Sequence, residues 1–223
     1  MRFVFRLIPL VFVLCHPLYS AAQDASNEAG KNPKLAVSVA VQPLFAISNA
    51  GKFDIELQNS ASRFAYIISP EIYGGSLRDV SAFQNQIGVN KDRLSGFGIG
   101  LLQKYYVNES KRPYVAYGLT YRYQTIAFEA EGYDTFEKNG LTYYQYGPIK
   151  DKWKINSFLI STVIGYQKIK HDFLYDVYLG FGYKKPSVES KYPEARKYDE
   201  GVYNFAYTGM VYHMGFKIGF NIR

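Results

Sequence analysis

Seven charged residues fall on one parity of alternating stretches in this chain: Asp54, Glu56, Glu71 and Asp176 are acidic, Lys104, Arg122 and Lys217 are basic, and His213 shares their register. Because an unpaired buried charge costs several kcal/mol, a nearly balanced set on one face predicts a connected ion-pair network that fills an interior. The same residues could instead serve as a gate or a proton path. Nucleophilic catalysis has less to work with, since a nucleophile needs its base within hydrogen-bond reach. Of the three histidines, His16 lies in an apolar leader, His171 precedes Asp172 in a predicted turn, and His213 is mid-strand without a local serine motif. No catalytic residue, cofactor-binding residue or metal ligand is therefore expected. The run Gly96-Phe97-Gly98-Ile99-Gly100 lacks the spacing of a dinucleotide fingerprint and leads into a strand, so it reads as interior lining.

The elements that must carry these charges are strands. From about Leu35 onward, large apolar or aromatic residues alternate with glycine, small polar residues or single charges, and successive strand side chains point to opposite faces. In the clearest stretch, Val115, Tyr117, Leu119, Tyr121 and Tyr123 take one face and Ala116, Gly118, Thr120, Arg122 and Gln124 the other. Eight strands are predicted near 35–45, 53–58, 63–73, 96–107, 114–128, 155–168, 173–184 and 205–222. The sixth is the least regular, because Ile155 and Phe158 fall out of phase, which predicts a bulge or an early strand end. Short links at 59–62, 108–113 and 169–172 alternate with long ones at 74–95, 129–154 and 185–204, while a hairpin turn at Asn49-Ala50-Gly51 joins the first two strands. An even number of antiparallel strands with alternating link lengths predicts a closed up-and-down eight-stranded transmembrane β-barrel, all-β, with long links external and both termini periplasmic.

A secreted soluble barrel would alternate as well, so the size of the residues on each face has to decide. An eight-stranded barrel has an interior just wide enough for side chains to fill, and the apolar faces carry too many Tyr, Phe, Leu and Ile to fit there. The bulky set is expected outside, against lipid, with Gly98, Gly100, Gly118, Gly180, Gly182, Gly215 and Gly219 lining the lumen. Tyr105, Tyr106 and Tyr114 at one short turn, and Tyr73, Phe128, Trp153 and Tyr183 near the long links, are expected to mark the bilayer interfaces.

The start of the chain differs in kind. Arg2 and Arg6 lead into the apolar run Leu7 to Cys15, and Ser20, Ala21 and Ala22 supply small residues for cleavage. Residues 1–22 are expected to be a signal peptide, 23–33 a short periplasmic segment and 34–223 the barrel. Cleavage removes the only cysteine, Cys15, so no disulfide framework or thiolate metal site is available. It also lowers the basic count from 26 to 24 against 19 acidic residues, taking the formal charge from +7 to +5. Basic and acidic residues are interspersed, as at Lys150, Asp151, Lys152 and Lys154, which argues against a nucleic-acid partner.

The leader, the Gly-Phe-Gly-Ile-Gly entry to the fourth strand, the segment Arg112 to Leu119 and the stretch Tyr178-Leu179-Gly180-Phe181-Gly182-Tyr183 together resemble the small eight-stranded outer-membrane barrels of Gram-negative bacteria, the OmpX-like and OmpA-like group. The resemblance implies an integral outer-membrane protein in contact with outer-membrane lipids and lipopolysaccharide, inserted by the barrel-assembly machinery, without cofactor and monomeric. Such proteins often finish on phenylalanine, whereas this chain ends Phe220-Asn221-Ile222-Arg223. The role expected is non-enzymatic, envelope-structural or surface-interacting through the three long external loops, rich in Tyr143, Tyr144 and Tyr146. A narrow pore for ions or small solutes is the first alternative, and a lipid-modifying enzyme or protease the second.

Overall fold

The computed structural model describes residues 35–59, 62–77, 92–108, 110 and 112–222; the expected signal peptide and the 23–33 segment lie outside them. Eight strands run in chain order around a ring that closes on itself: β1 Leu35–Val41, β2 Ala50–Asn59, β3 Phe64–Ser76, β4 Arg93–Tyr106, β5 Pro113–Lys138, β6 Leu141–Lys170, β7 Phe173–Glu189 and β8 Gly209–Ile222. Every neighbouring pair is antiparallel, including the seam where β1 meets β8 from Val37↔Ile222 to Val41↔Ile218. Closure matters because a bilayer offers no water to an open sheet edge.

The alternation settles each face. Ile99, Leu101, Tyr117, Phe158, Ile160, Leu179, Phe181, Met214 and Phe220 point outward and are exposed, forming an apolar belt of the kind that lipid covers. Inside, large side chains stand opposite small ones across the ladder: Tyr73 faces Gly96, Glu71 and Arg122 flank Gly98, and Tyr114, Gly165, Tyr178 and Gly215 follow one another across β5 to β8. In a narrow cylinder, a glycine on the neighbouring strand makes room for a ring. At Gly98, for example, an added Cβ would lie 2.9 Å from Oε2 of Glu71 and 3.1 Å from Cγ of Arg122.

Four sequence expectations need correction. The link at 129–154 is not a loop, because β5 and β6 continue as a paired ribbon to Lys138↔Leu141 and turn at Asn139 and Gly140, both with positive φ. An Asn-Gly pair flanked by alternating aromatics favours this two-residue turn. β6 has no bulge, and its register stays unbroken, with Ile155 inside and Phe158 outside. Ile155 is out of phase only because the lumen holds an apolar layer at that level.

The first hairpin turn differs too: β1 ends before Pro43, which lacks an amide for the ladder, and a 3-10 turn over Pro43–Ser48 is closed by Asn49 in the left-handed region, with β2 starting at Ala50. Of the aromatics expected at the bilayer interfaces, Tyr105 and Tyr183 do face outward, whereas Tyr73, Tyr106, Tyr114, Phe128 and Trp153 are buried inside. Tyr105 and Tyr106 are adjacent in one strand, so only one of them can face lipid. The two-residue link at His171 and Asp172, by contrast, is the tight turn the short spacing predicts, both residues having positive φ.

Candidate functional site

The inward charges lie in three levels. Nearest the short links, Lys104 sits 2.9 Å from Glu56 and 3.5 Å from Asp176 and also bonds Gln167, with its ammonium 3.9 Å from the centre of the Tyr114 ring. Tyr106 donates to Glu56, and Tyr114 donates to Asp176 at 2.7 Å. In the middle, Asp54 accepts from Lys217 at 2.6 Å, from the Gln42 amide at 2.8 Å and from Ser69 at 2.6 Å. Above it, Arg122 grips both oxygens of Glu71, at 2.7 and 3.2 Å, while Lys52 lies 3.2 Å away and Tyr73 donates at 2.7 Å. The fork-to-fork geometry of Arg122 on Glu71 is the stronger kind of charge-assisted contact.

All seven charged residues singled out from the sequence thus sit in the lumen, each with an oppositely charged partner. His213 is there as well, its ring 6.4 Å from that of Tyr178 and no carboxylate within ion-pair reach among the described residues. Sequence reasoning did not include Lys52, Gln42, Ser69, Gln167, Tyr73, Tyr106, Tyr114 or Tyr178. Lys52 could have been found, since it shares the parity of Asp54 and Glu56. Lys184 also faces inward, but it donates to the backbone carbonyls of Asn204 and Phe205, at 2.7 and 3.1 Å, rather than to a carboxylate.

The external end of the lumen is partly roofed by apolar packing. Leu94, Ile126, Phe128, Trp153 and Ile155 from the wall meet Tyr198 and Ala206 from the link between β7 and β8. Trp153 and Tyr198 pack edge to face with ring centres 5.3 Å apart. Arg196 holds this cap in place, bonding Asp92 at 3.0 Å and the Glu129 carbonyl at 2.7 Å. The 190–208 link therefore folds over the barrel instead of projecting from it. Beneath and beside the cap lies a cavity of about 230 Å³ whose lining includes Phe45, Ser48, Val202 and Tyr203.

The ribbon of β5 and β6 rises beyond the wall, because β4 pairing stops at Arg93↔Ala127 and β7 pairing starts only at Lys154. From Phe128↔Asp151 to the tip it extends roughly 35 Å at the usual strand rise. One face carries the Tyr133–Tyr146 pair, 5.1 Å between ring centres, with Thr135 and Tyr144 beside it; the other carries Phe136 stacked on Tyr143 at 5.4 Å. Its root is tied to the cap, where Asp151 accepts from the Ser190 hydroxyl at 2.7 Å and the Tyr192 amide at 2.9 Å. Burial raises the Asp151 carboxyl, but the Ser190 hydroxyl and the backbone amides of Tyr192, Lys152 and Lys191 outweigh it, so the pKa lies below its ordinary value.

A carboxylate depressed in this way stabilises the tie above its unfolded pKa and ceases to do so as pH falls through the folded value. Amide exchange at Tyr192, corrected for intrinsic rate, is therefore expected to stay slow from neutral pH down to about 4 and to accelerate below it. Asp151→Asn should give the fast rate at neutral pH, and equal exchange in both proteins would remove Asp151 from this role.

No protein-family model matches the chain, and neither does any curated protein sequence. Among solved structures, the chain is similar to the crystal structure of Acinetobacter baumannii CarO, at 15% sequence identity over 86% of this chain and 99% of that one, with a TM-score of 0.38.

Proposed function

We propose that this chain is an integral outer-membrane β-barrel with a non-enzymatic role, in which the barrel is a filled scaffold and the β5–β6 ribbon is the part that meets an external partner. The observation that carries the reading is the pairing of two surfaces: an apolar belt around a closed ring, and an aromatic ribbon above it whose outer part pairs with no third strand among the described residues. The belt is what a bilayer stabilises, and exposed rings on a rigid arm supply contact area at low entropic cost. Outer-membrane residence also fits the predicted leader and the position of the tight His171-Asp172 turn at the end opposite the ribbon and the 190–208 link. The lumen supports a scaffold over a conduit, because the Glu56–Lys104–Asp176 level with Tyr106 and Tyr114 closes the end nearest the short links.

Two measurements test this together. Membrane fractionation should place the chain in the outer membrane, and the purified protein should migrate differently in detergent before and after heating. In planar bilayers it should give no steady conductance; a reproducible open channel would favour the pore. Shortening the ribbon by deleting 131–148 should leave heat-modifiable migration intact and abolish any binding of whole cells to surfaces or other cells that the full chain confers. Unchanged binding would end the recognition part of the proposal.

A further inference from the structure

The cavity at the external half of the lumen has an uneven charge surface. The level of Lys104 carries two carboxylates against one cation, Glu56 and Asp176 against Lys104. Above it the balance reverses, with Lys52, Arg122 and Lys217 against Asp54 and Glu71. Side-chain exposure sharpens the asymmetry: Lys52, Arg122 and Lys217 keep 13%, 16% and 11%, whereas Glu71 and Asp54 keep 0% and 5%. Of the two carboxylates, Glu71 is covered by Lys52 and Arg122, whereas Asp54 still lines the cavity beside Lys217. Lys184 adds an amino group held at the wall by two carbonyl oxygens, with no carboxylate within ion-pair reach among the described residues. The rest of the lining includes the apolar side chains Ile67, Leu102, Leu159 and Val163.

The route into this space is from the external side. β1 stops at Val41, opposite Ile218, so Gly209 to Lys217 of β8 have no strand partner on that side, and the 3-10 turn over Pro43–Ser48 stands beside the gap. Phe45 and Ser48, with Val202 to Phe205, line the cavity, while the end nearest the short links is closed. At about 30 Å³ per water, the volume holds several waters or one small organic molecule.

The geometry points to this blind cavity as a binding site for a small carboxylate with a short hydrocarbon tail. The carboxylate accepts from Lys52 and Arg122, which keep side-chain exposure, with the buried Lys184 on the wall of the same cavity, and the tail lies against Leu102, Leu159 and Val163. Charge-assisted hydrogen bonds in a site shielded from water discriminate strongly by sign, while the apolar lining rewards tail length. The inference concerns the lumen alone and does not rest on the role of the ribbon.

The test is calorimetric titration of the full purified chain, folded in maltoside micelles, with butyrate, octanoate, octylammonium and octanol. Saturable octanoate binding is expected, tighter than butyrate and at least about tenfold tighter than octylammonium or octanol. Lys184→Gln and Lys52→Gln should each weaken octanoate about tenfold without changing the octanol signal. Glu71 keeps Arg122 and Tyr73 when Lys52 is replaced, so that variant carries the comparison if Lys184→Gln does not reach the heat-modifiable form. Octylammonium binding as tightly as octanoate, octanoate binding that neither variant alters, or no saturable heat at all would overturn the site.

Discussion

Replacing Lys104 by methionine should lower the stability of the folded barrel by about 3–5 kcal/mol, the range seen when one partner of a buried ion pair is removed. Lys104 is fully buried and lies between Glu56 and Asp176, and its loss leaves two carboxylates facing each other without a counter-charge. The hydroxyls of Tyr106 and Tyr114 can still donate to Glu56 and Asp176, but neither carries positive charge. Urea unfolding in detergent, followed by the single tryptophan, Trp153, and by gel migration, reads the change.

The companion variant separates charge from packing. Adding Glu56→Gln and Asp176→Asn to Lys104→Met removes the whole ionic group, and most of the lost stability should return, since a buried pair is often no more stable than neutral side chains of similar volume. A single variant that unfolds at the same urea concentration as the parent would show that this level is not what holds the lumen together.

Gly118→Ala should be nearly as damaging although it adds only a methyl group. A Cβ at Gly118 would lie 2.6 Å from Cα of Leu102 and 2.9 Å from the carbonyl carbon of Leu101, both in the backbone of β4. A flexible side chain could move aside, but here a strand of the wall must shift, and with it the β4–β5 ladder around Leu102↔Gly118. Overpacking of this kind costs about 1–3 kcal/mol, occasionally more, and the larger figure is expected because the ring is closed on both sides. Gly147→Ala is the control: it lies on the ribbon with nothing within 4 Å of its added Cβ, so its effect should stay within about 0.5 kcal/mol. Equal behaviour of the two alanine variants would mean that the close approach at Gly118 relaxes without cost.

Much of the barrel is legible from parity. The outward set Tyr117, Leu119, Tyr121 and Tyr123 and the inward set Ala116, Gly118, Thr120 and Arg122 follow from the pleat alone, because a strand cannot present adjacent residues to one face. The ribbon was equally legible through Asn139-Gly140, yet charge and tyrosine density over 129–154 read as a loop. The aromatic belt failed for a different reason. Proximity to a strand end does not mean facing lipid: Tyr106, Tyr114, Phe128 and Trp153 have inward parity, Tyr114 packing on Tyr106 and opposite Gly165, Phe128 and Trp153 beneath the 190–208 cap.

By itself, then, the order of residues determined which side chains share a face and how many strands there are, since each of these depends only on neighbours along the chain. Tertiary structure alone decided which charges meet: Lys104 reaches Glu56 and Asp176 from strands far apart in sequence, and Lys52 joins Arg122 on Glu71. It also decided that Lys184 would be left without a carboxylate and that Lys52 and Arg122 would cover Glu71. Those outcomes depend on the stagger with which eight strands close into a ring, and stagger is a property of the whole ladder that no local pattern encodes.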